Sequence, residues 1–194
     1  MPEKIRTFIA IDTPPEFKIR AEEIQHELDT PGVPVRWEKS YKMHLTLKFL
    51  GDTGTETLKK IEPALENLSA RAKPFWLRYA GLGCFPNAKN PRIVWVGCNP
   101  LSADLDHMQQ NIENEMADLG FEKESRPFHP HITIGRIKTR SGKEKRSLPD
   151  LIKKMENVTF DALENEVHSI LLMKSELRQE GSVYTILKQF SLTS

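Results

Sequence analysis

The hydrophobic positions of this chain follow two different periods, one typical of strands and the other of helices. Between residues 44 and 50 every second residue is apolar, which predicts a half-buried strand. Between residues 17 and 28 the apolar residues recur every three or four positions, which predicts an amphipathic helix. Further predicted strands lie near residues 5–11, 75–82, 92–98, 131–137, 167–173 and 183–190, and further helices near 58–68, 101–119 and 148–155.

Two helix starts carry a specific signal. Thr13 with Glu16, and Thr53 with Glu56, have the spacing of capping boxes, in which a threonine side chain accepts a bond from the first helical turn. We therefore predict that these threonines end their strands and begin the helices that follow.

The order of the elements indicates the fold class. Strands and helices are mixed, and the last third of the chain is rich in strands with short connections. This favours an α+β fold with antiparallel sheets over a doubly wound parallel sheet. Neither a linker nor a low-complexity stretch interrupts the sequence, so we expect one domain spanning residues 1–194.

Composition limits the cellular setting. With 28% charged and 38% hydrophobic residues, the chain resembles a soluble globular protein. Its longest apolar runs, such as Ile170–Met173, are far shorter than the roughly 20 residues that span a membrane. The first residues lead into a predicted strand without an apolar signal region. We expect a cytoplasmic protein without membrane contact, and we take it to act as a monomer.

The basic residues are unevenly spread. The net charge of +1 does not indicate a uniformly basic nucleic-acid binder. Six basic residues are nevertheless concentrated in one segment against a single acid, Glu144. Such a run is more often a solvated loop, but it would also attract a phosphate-rich partner. The six are Arg136, Lys138, Arg140, Lys143, Lys145 and Arg146.

One four-residue pattern, histidine–aliphatic–threonine–aliphatic, occurs twice. The copies are His44–Leu47 and His131–Ile134, one in each half of the chain, and each opens a predicted strand. Because strand side chains alternate between faces, the histidine and threonine of a copy share one face while the aliphatic residues pack into the core. A single copy carries little information, whereas two matching copies are far more specific. If the halves pack about a pseudo-two-fold axis, two imidazoles and two hydroxyls meet in one cleft.

These groups suit displacement at phosphorus. An imidazole titrates near pH 6.5, so one histidine can accept a proton from water while the other gives one to the leaving oxygen. The hydroxyls of Thr46 and Thr133 can donate hydrogen bonds to the non-bridging phosphate oxygens. This chemistry requires no metal ion and no cofactor.

The residues around the two motifs resemble a known family. Lys42–Gly51 is similar to the first signature of the two-histidine (2H) phosphoesterases, and Phe128–Arg136 is similar to the second. Arg6–Ile11 and Ser175–Leu177, with Gly181 and Tyr184 following, also resemble the RNA 2',3'-cyclic phosphodiesterase branch, which is also known as the 2'-5' RNA ligase-like group. The resemblance therefore extends over nearly the whole chain.

The resemblance implies a fold, a substrate and a reaction. The fold would be bilobal, with two antiparallel sheets and flanking helices around a central cleft. The substrate would be RNA, or a nucleotide, with a 2',3'-cyclic phosphate end, hydrolysed to a terminal 2'-phosphate. In that family the first histidine, here His44, is the proton donor and the second, here His131, is the acceptor. The residues alone leave this order open, because the two motifs are chemically equivalent.

Two basic residues near the motifs are candidate substrate contacts. Arg136 corresponds to the family's phosphate-contacting arginine, yet a regular strand would point it away from His131 and Thr133. A bulge at Gly135 would redirect it. Lys48 shares strand parity with His44, so it is expected either in the cleft or as an exposed lysine.

Other residues have weaker signals. The pair His129 and His131 has the spacing of a metal pair, but Pro130 disturbs the strand and no nearby ligand completes a site, so no metal is predicted. Trp37, Phe49 and Phe128 flank the motifs and are more typical of core packing than of base stacking.

Three alternative functions stay open. A phosphodiesterase for a small cyclic phosphate, such as cyclic ADP-ribose phosphate, would use the same groups. A binding module for nucleotide or RNA would keep the cleft without turnover. A physiological RNA-joining role would require a 2'-5' product above the hydrolysis background.

Overall fold

Nine strands and four α-helices make up the part of the chain that the computed structural model describes, residues 4–138, 146–179 and 181–193. The strands are β1 (Lys4–Asp12), β2 (Val35–Trp37), β3 (His44–Gly54), β4 (Phe75–Phe85), β5 (Ile93–Pro100), β6 (His131–Ile137), β7 (Leu163–Val167), β8 (Ser169–Arg178) and β9 (Gly181–Ser191). The helices are α1 (Pro15–Leu28), α2 (Thr55–Ala70), α3 (Asp104–Asp118) and α4 (Leu148–Asn157). None of these helices is long and apolar enough to cross a membrane.

The strands form one antiparallel sheet of two similar halves. Its order is β7-β4-β5-β6-β3-β1-β8-β9, and β2 pairs with β6. Within the described residues, β3 and β6 meet at a single register pair, Leu45 with Ile132. The predicted α+β class is confirmed, and the two predicted sheets are the halves on either side of this junction.

Strands and helices from each half of the chain pair with or pack on elements of the other half. The run β1-α1-β3-α2-β4 has the same pairing as β5-α3-β6-α4-β8: the first two strands pair, and the last strand pairs with the first strand of the other run. Helix α1 packs on β6 and α4, while α3 packs on β3 and α2. Because each half is completed by the other, we propose that residues 1–194 fold as one domain with a pseudo-two-fold relation.

The sheet buries its two faces differently. The aliphatic residues of the two motifs, Leu45, Leu47, Ile132 and Ile134, are at most 3% exposed and belong to the main core. A smaller apolar cluster occupies the other face of β1 and β8, and consists of Phe8, Ala10, Leu171 and Met173 with Tyr184 packed against it. The motif histidines and threonines lie on this second face.

The predicted capping boxes are wrong, because both threonines have other partners. Thr13 donates its hydroxyl hydrogen bond to the carbonyl of Met43 (3.1 Å) and so anchors the start of β3. Thr53 is buried against the hydroxyl of Thr7 (2.8 Å), since β3 continues through Gly51 to Gly54. Gly51 permits this continuation with a left-handed φ of +70°.

Candidate active site

The two histidine motifs lie side by side at the centre of the sheet. In both β3 and β6 the histidine and threonine are partly exposed and the intervening aliphatic residues are buried. The antiparallel pairing of Leu45 with Ile132 sets the histidine of each motif beside the threonine of the other. The two histidines are then diagonal neighbours on one face, a relation that typically separates side chains by roughly 7–8 Å. Side chains with that spacing can reach a single phosphate group from two sides.

Both imidazoles are held in the same way. Nδ1 of His44 lies 2.7 Å from the carbonyl oxygen of Lys42, and Nδ1 of His131 lies 2.7 Å from the carbonyl oxygen of His129. A carbonyl only accepts, so each Nδ1 carries a hydrogen and donates it. In the neutral rings Nε2 is then the unprotonated nitrogen, and it is the atom that gains or loses a proton.

The surroundings act on both imidazoles, with different charges near each. Burial is the main cause that lowers the pKa of His44, and the Lys42 carbonyl and the carboxylates of Asp12 and Glu38 act in the opposite direction. Burial also lowers the pKa of His131, where the His129 carbonyl opposes it and the charges of His129 and Arg136 lower it further. The carboxylates of Asp12 and Glu38 thus favour a proton on His44, whereas Arg136 lowers the pKa of both histidines.

Aromatic rings enclose both histidines. The ring of His44 lies 4.8 Å from Phe8 and 5.0 Å, edge to face, from Tyr184. The ring of His131 lies 4.9 Å, edge to face, from Phe85 and 6.2 Å from Trp95. These contacts restrict each imidazole to one orientation and account for its partial burial.

A bulge follows the threonine in each motif strand. Along β1, Ile9 pairs with Lys48 and Ala10 with Thr46, so Leu47 is the extra residue in β3. Along β5, Val94 pairs with Gly135 and Trp95 with Thr133, which leaves Ile134 as the extra residue in β6. The bulges occupy equivalent positions and reverse the parity of the residues that directly follow, up to a second irregularity at Leu50 in β3.

The bulge in β6 places Arg136 on the same face as His131 and Thr133. Its side chain is 40% exposed, and its Nε donates a hydrogen bond to Oε1 of Glu38 at 2.9 Å. The positive charge of Arg136 lowers the pKa of both His44 and His131, which puts its guanidinium near both rings. The bulge expected at Gly135 therefore brings this arginine to the site.

The structure removes Lys48 from the predicted site. The bulge in β3 turns this residue toward α3, where its side chain is only 4% exposed. Its Nζ donates to Oε2 of Glu113 at 2.6 Å and to the carbonyl of Glu122 at 2.8 Å. Neither expected position, in the cleft or exposed to solvent, is correct. Phe49 takes the cleft-side position instead, and is 70% exposed.

The remaining candidates within the described residues, Trp37, Phe128 and His129, pack against other parts of the protein. Trp37 packs over Gly135, where a Cβ atom would come within 2.6 Å of its ring, and Phe128 packs partly buried against the main core. The ring of His129 contacts Phe85 and Trp95. Within the described ranges, no cluster of three or more histidine, cysteine or acidic side chains is arranged to hold a metal ion. Arg140, Lys143 and Lys145 of the basic segment lie outside the described residues.

Several site residues were not singled out by the sequence patterns. Phe85 and Trp95 lie far from both motifs along the chain, and the pairing of β4 with β5 and of β5 with β6 brings them to the cleft. Glu38 follows β2 and reaches the cleft because β2 pairs with β6. Phe8 and Tyr184 belong to segments noted for their resemblance alone. An aromatic residue on the first strand of each run, Phe8 in β1 and Trp95 in β5, was the one available signal.

The comparisons with known proteins agree with this geometry. The profile of the family described as LigT like phosphoesterase matches the chain twice, over residues 11–95 and 96–184, and each match contains one histidine motif. An RNA 2',3'-cyclic phosphodiesterase of Aquifex aeolicus is 32% identical over 189 residues, 97% of either chain.

Solved structures extend the likeness to the fold. The crystal structure of TT0787 of Thermus thermophilus matches with a TM-score of 0.80 and 26% identity, over 97% of this chain and 98% of that chain. Escherichia coli LigT complexed with 3'-AMP matches with a TM-score of 0.74 and 27% identity, over 99% and 100% of the two chains. Together, fold and sequence define an enzyme that acts on phosphate esters. The chain belongs to the LigT-like phosphoesterase family.

Proposed function

We propose that this phosphoesterase hydrolyses the 2',3'-cyclic phosphate at RNA ends to a terminal 2'-phosphate, without a metal ion. The observation that carries the proposal is the facing pair of motifs on β3 and β6, with both imidazoles oriented by backbone carbonyls. The name of the Aquifex aeolicus relative supports the substrate class, and the complex of E. coli LigT with 3'-AMP supports a nucleotide in the cleft.

In the proposed reaction His131 is the base and His44 is the acid. Nε2 of His131 takes a proton from water as the water oxygen bonds to phosphorus. The bond from phosphorus to the 3'-oxygen breaks, and Nε2 of His44 gives its proton to that oxygen. The products are a 2'-phosphomonoester and a free 3'-hydroxyl. The carboxylates of Asp12 and Glu38 near His44 support this order of roles.

Three further groups stabilise the charge that moves onto the phosphate. Thr46 and Thr133 lie opposite the histidines of the partner motifs and are partly exposed on the same face. Both are placed to donate to the non-bridging oxygens. Nε of Arg136 donates a hydrogen bond to Glu38. This bond orients the two terminal nitrogens of Arg136, so that both can donate to the non-bridging phosphate oxygens.

The product of hydrolysis tests the proposal directly. Phosphorus NMR of adenosine 2',3'-cyclic phosphate incubated with the enzyme should show adenosine 2'-phosphate, at the same rate with and without a chelator. Tight binding without product would establish a binding module instead. A 3'-phosphate product, or loss of activity with the chelator, would contradict the assigned leaving group or the metal-free chemistry.

The pH dependence of kcat/KM should reflect the lowered pKa values of the two histidines. The reaction needs His44 protonated and His131 neutral, and burial moves both pKa values below the ordinary 6.5. The rate falls at higher pH as His44 loses its proton, and at lower pH as His131 gains one. We therefore expect the maximum on the acid side of pH 6.5, and a maximum clearly above it would contradict this view of the site.

The Asp12→Asn variant provides a check on the order of roles. The Asp12 carboxylate raises the pKa of His44 and does not act on that of His131. Its removal should shift the alkaline limb of the profile to lower pH and leave the acid limb in place. A shift of the acid limb alone would reverse the assignment of acid and base.

A further inference from the structure

Two arginines face each other at the edge of the candidate site. Arg36 of β2 is the direct cross-strand partner of Arg136 of β6, so their side chains share one face of the sheet. Because the bulge in β6 puts Arg136 on the face of His131, Arg36 lies on that face as well. Both side chains are 40% exposed.

The carboxylate of Glu38 lies close to both guanidinium groups. Oε1 of Glu38, whose side chain is 14% exposed, lies 2.9 Å from Nε of Arg136 and 3.8 Å from Nη2 of Arg36. Arg136 is therefore held tightly and Arg36 loosely. Like charges directly opposite each other in a sheet are unfavourable, and among the described residues the one carboxylate paired with both arginines, that of Glu38, does not neutralise two charges. An arrangement that costs stability in this way is typical of a site that receives an anion.

Arg36 lies between Arg136 and the start of β9. A Cβ atom built on Gly181, at the start of β9, would come within 3.3 Å of Nη1 of Arg36. The same strand carries Tyr184, which packs edge to face on His44. The guanidinium of Arg36 thus lies at the edge of the cleft, on the face of the histidines and next to Arg136.

We propose that Arg36 binds a second phosphate of the substrate, the one attached to the 5'-oxygen of the nucleoside that carries the cyclic phosphate. This inference rests on the proposed function and names its substrate class. A cyclic phosphate has one negative charge, which Arg136 and the histidine pair match. A planar guanidinium forms two parallel hydrogen bonds with a further phosphate. Oligonucleotides and 5'-phosphorylated nucleotides are then preferred over cyclic mononucleotides.

Paired substrates that differ only in the 5'-phosphate test this proposal. The wild-type enzyme should hydrolyse 5'-phosphoadenosine 2',3'-cyclic phosphate with a kcat/KM about tenfold above that of adenosine 2',3'-cyclic phosphate, mainly through KM. A dinucleotide with the same cyclic end tests the internucleotide phosphate in place of the terminal one. In Arg36→Gln the ratio should fall toward one, and Arg36→Lys, which keeps the charge but loses the fork, should give an intermediate ratio.

Arg71→Gln is the matched control, because it removes one arginine charge on an exposed residue at the end of α2. It should leave the tenfold ratio unchanged. The inference is overturned if the wild-type ratio is near one, or if Arg36→Gln lowers kcat/KM for both substrates equally. Failure of the proposed function is a different result, since the wild-type enzyme would then hydrolyse neither substrate.

Discussion

Replacing either His44 or His131 with alanine is expected to lower kcat for a 2',3'-cyclic nucleotide by about 10²–10⁴-fold. Each imidazole is the only group assigned to its proton transfer, and water cannot reproduce its fixed position between a backbone carbonyl and the phosphate. Both rings lie on the partly exposed face of the sheet and outside the main core. The free energy of unfolding should therefore change by no more than about 1 kcal/mol.

Steady-state kinetics and urea denaturation of the same preparations separate the two effects. His168→Ala is the matched control, because this histidine is exposed between β7 and β8 and pairs only with Glu166 among the described residues. It should retain wild-type kinetics. If His44→Ala or His131→Ala kept full activity with an unchanged unfolding curve, the facing imidazoles would have no role in the reaction.

The sequence predicted which motif residues share a face, because strand periodicity is a local property. The alternation of polar and aliphatic residues in His44–Leu47 and His131–Ile134 is enough to assign the histidines and threonines to one face. That those two faces adjoin depends on the pairing of β3 with β6, a contact between distant segments. The duplication of the motif was the indirect signal for it.

Periodicity failed at the residues that follow the threonines. The extra residues Leu47 and Ile134 shift the register, so parity counted from the histidines is wrong for the residues that directly follow, among them Lys48 and Arg136. A bulge results from the fit between neighbouring strands, and the residues within one strand do not reveal it. The same irregularity buried Lys48 and brought Arg136 to the cleft. The two bulges have equivalent results: Phe49 and Arg136, each the fifth residue after the histidine of its motif, both lie on the cleft side.

The pairing and packing of elements between the two halves also could not be predicted from the sequence. The fold class followed from the order of elements, but the pairing of β4 with β5 and of β8 with β1 depends on which edges meet in three dimensions. Phe85 of β4 reaches His131 only through the pairing of β4 with β5, and Trp95 reaches it through the pairing of β5 with β6. Aromatic residues in strands are common, so their types alone did not mark them as part of a site.

Replacing Lys48 with methionine is expected to lower the free energy of unfolding by about 3–5 kcal/mol. Methionine keeps an apolar side chain of similar length, so the change removes the charge with little loss of packing. Glu113 would remain as a buried carboxylate with its ion-pair partner gone, although it still accepts hydrogen bonds from Gln109 and from the backbone of Glu124. The carbonyl of Glu122 would lose a donor as well.

This ion pair also links the two motifs. Lys48 follows His44 in β3, and the segment of Glu122 and Glu124 that it helps to hold leads into His131 of β6. The activity of Lys48→Met at temperatures well below its unfolding transition should therefore fall through kcat more than through KM. The double variant Lys48→Met with Glu113→Gln should recover part of the lost stability, since it leaves no unpaired charge.

Lys59→Met is the control for the Lys48 variant, because Lys59 pairs with Glu56 one turn apart on the exposed surface of α2. Exposed pairs of this kind contribute little, so its free energy of unfolding should change by less than about 0.5 kcal/mol. A change of similar size in Lys48→Met would mean that the buried pair does not form in solution. Lys48 would then be free to turn toward the cleft, as the strand parity of the sequence suggests.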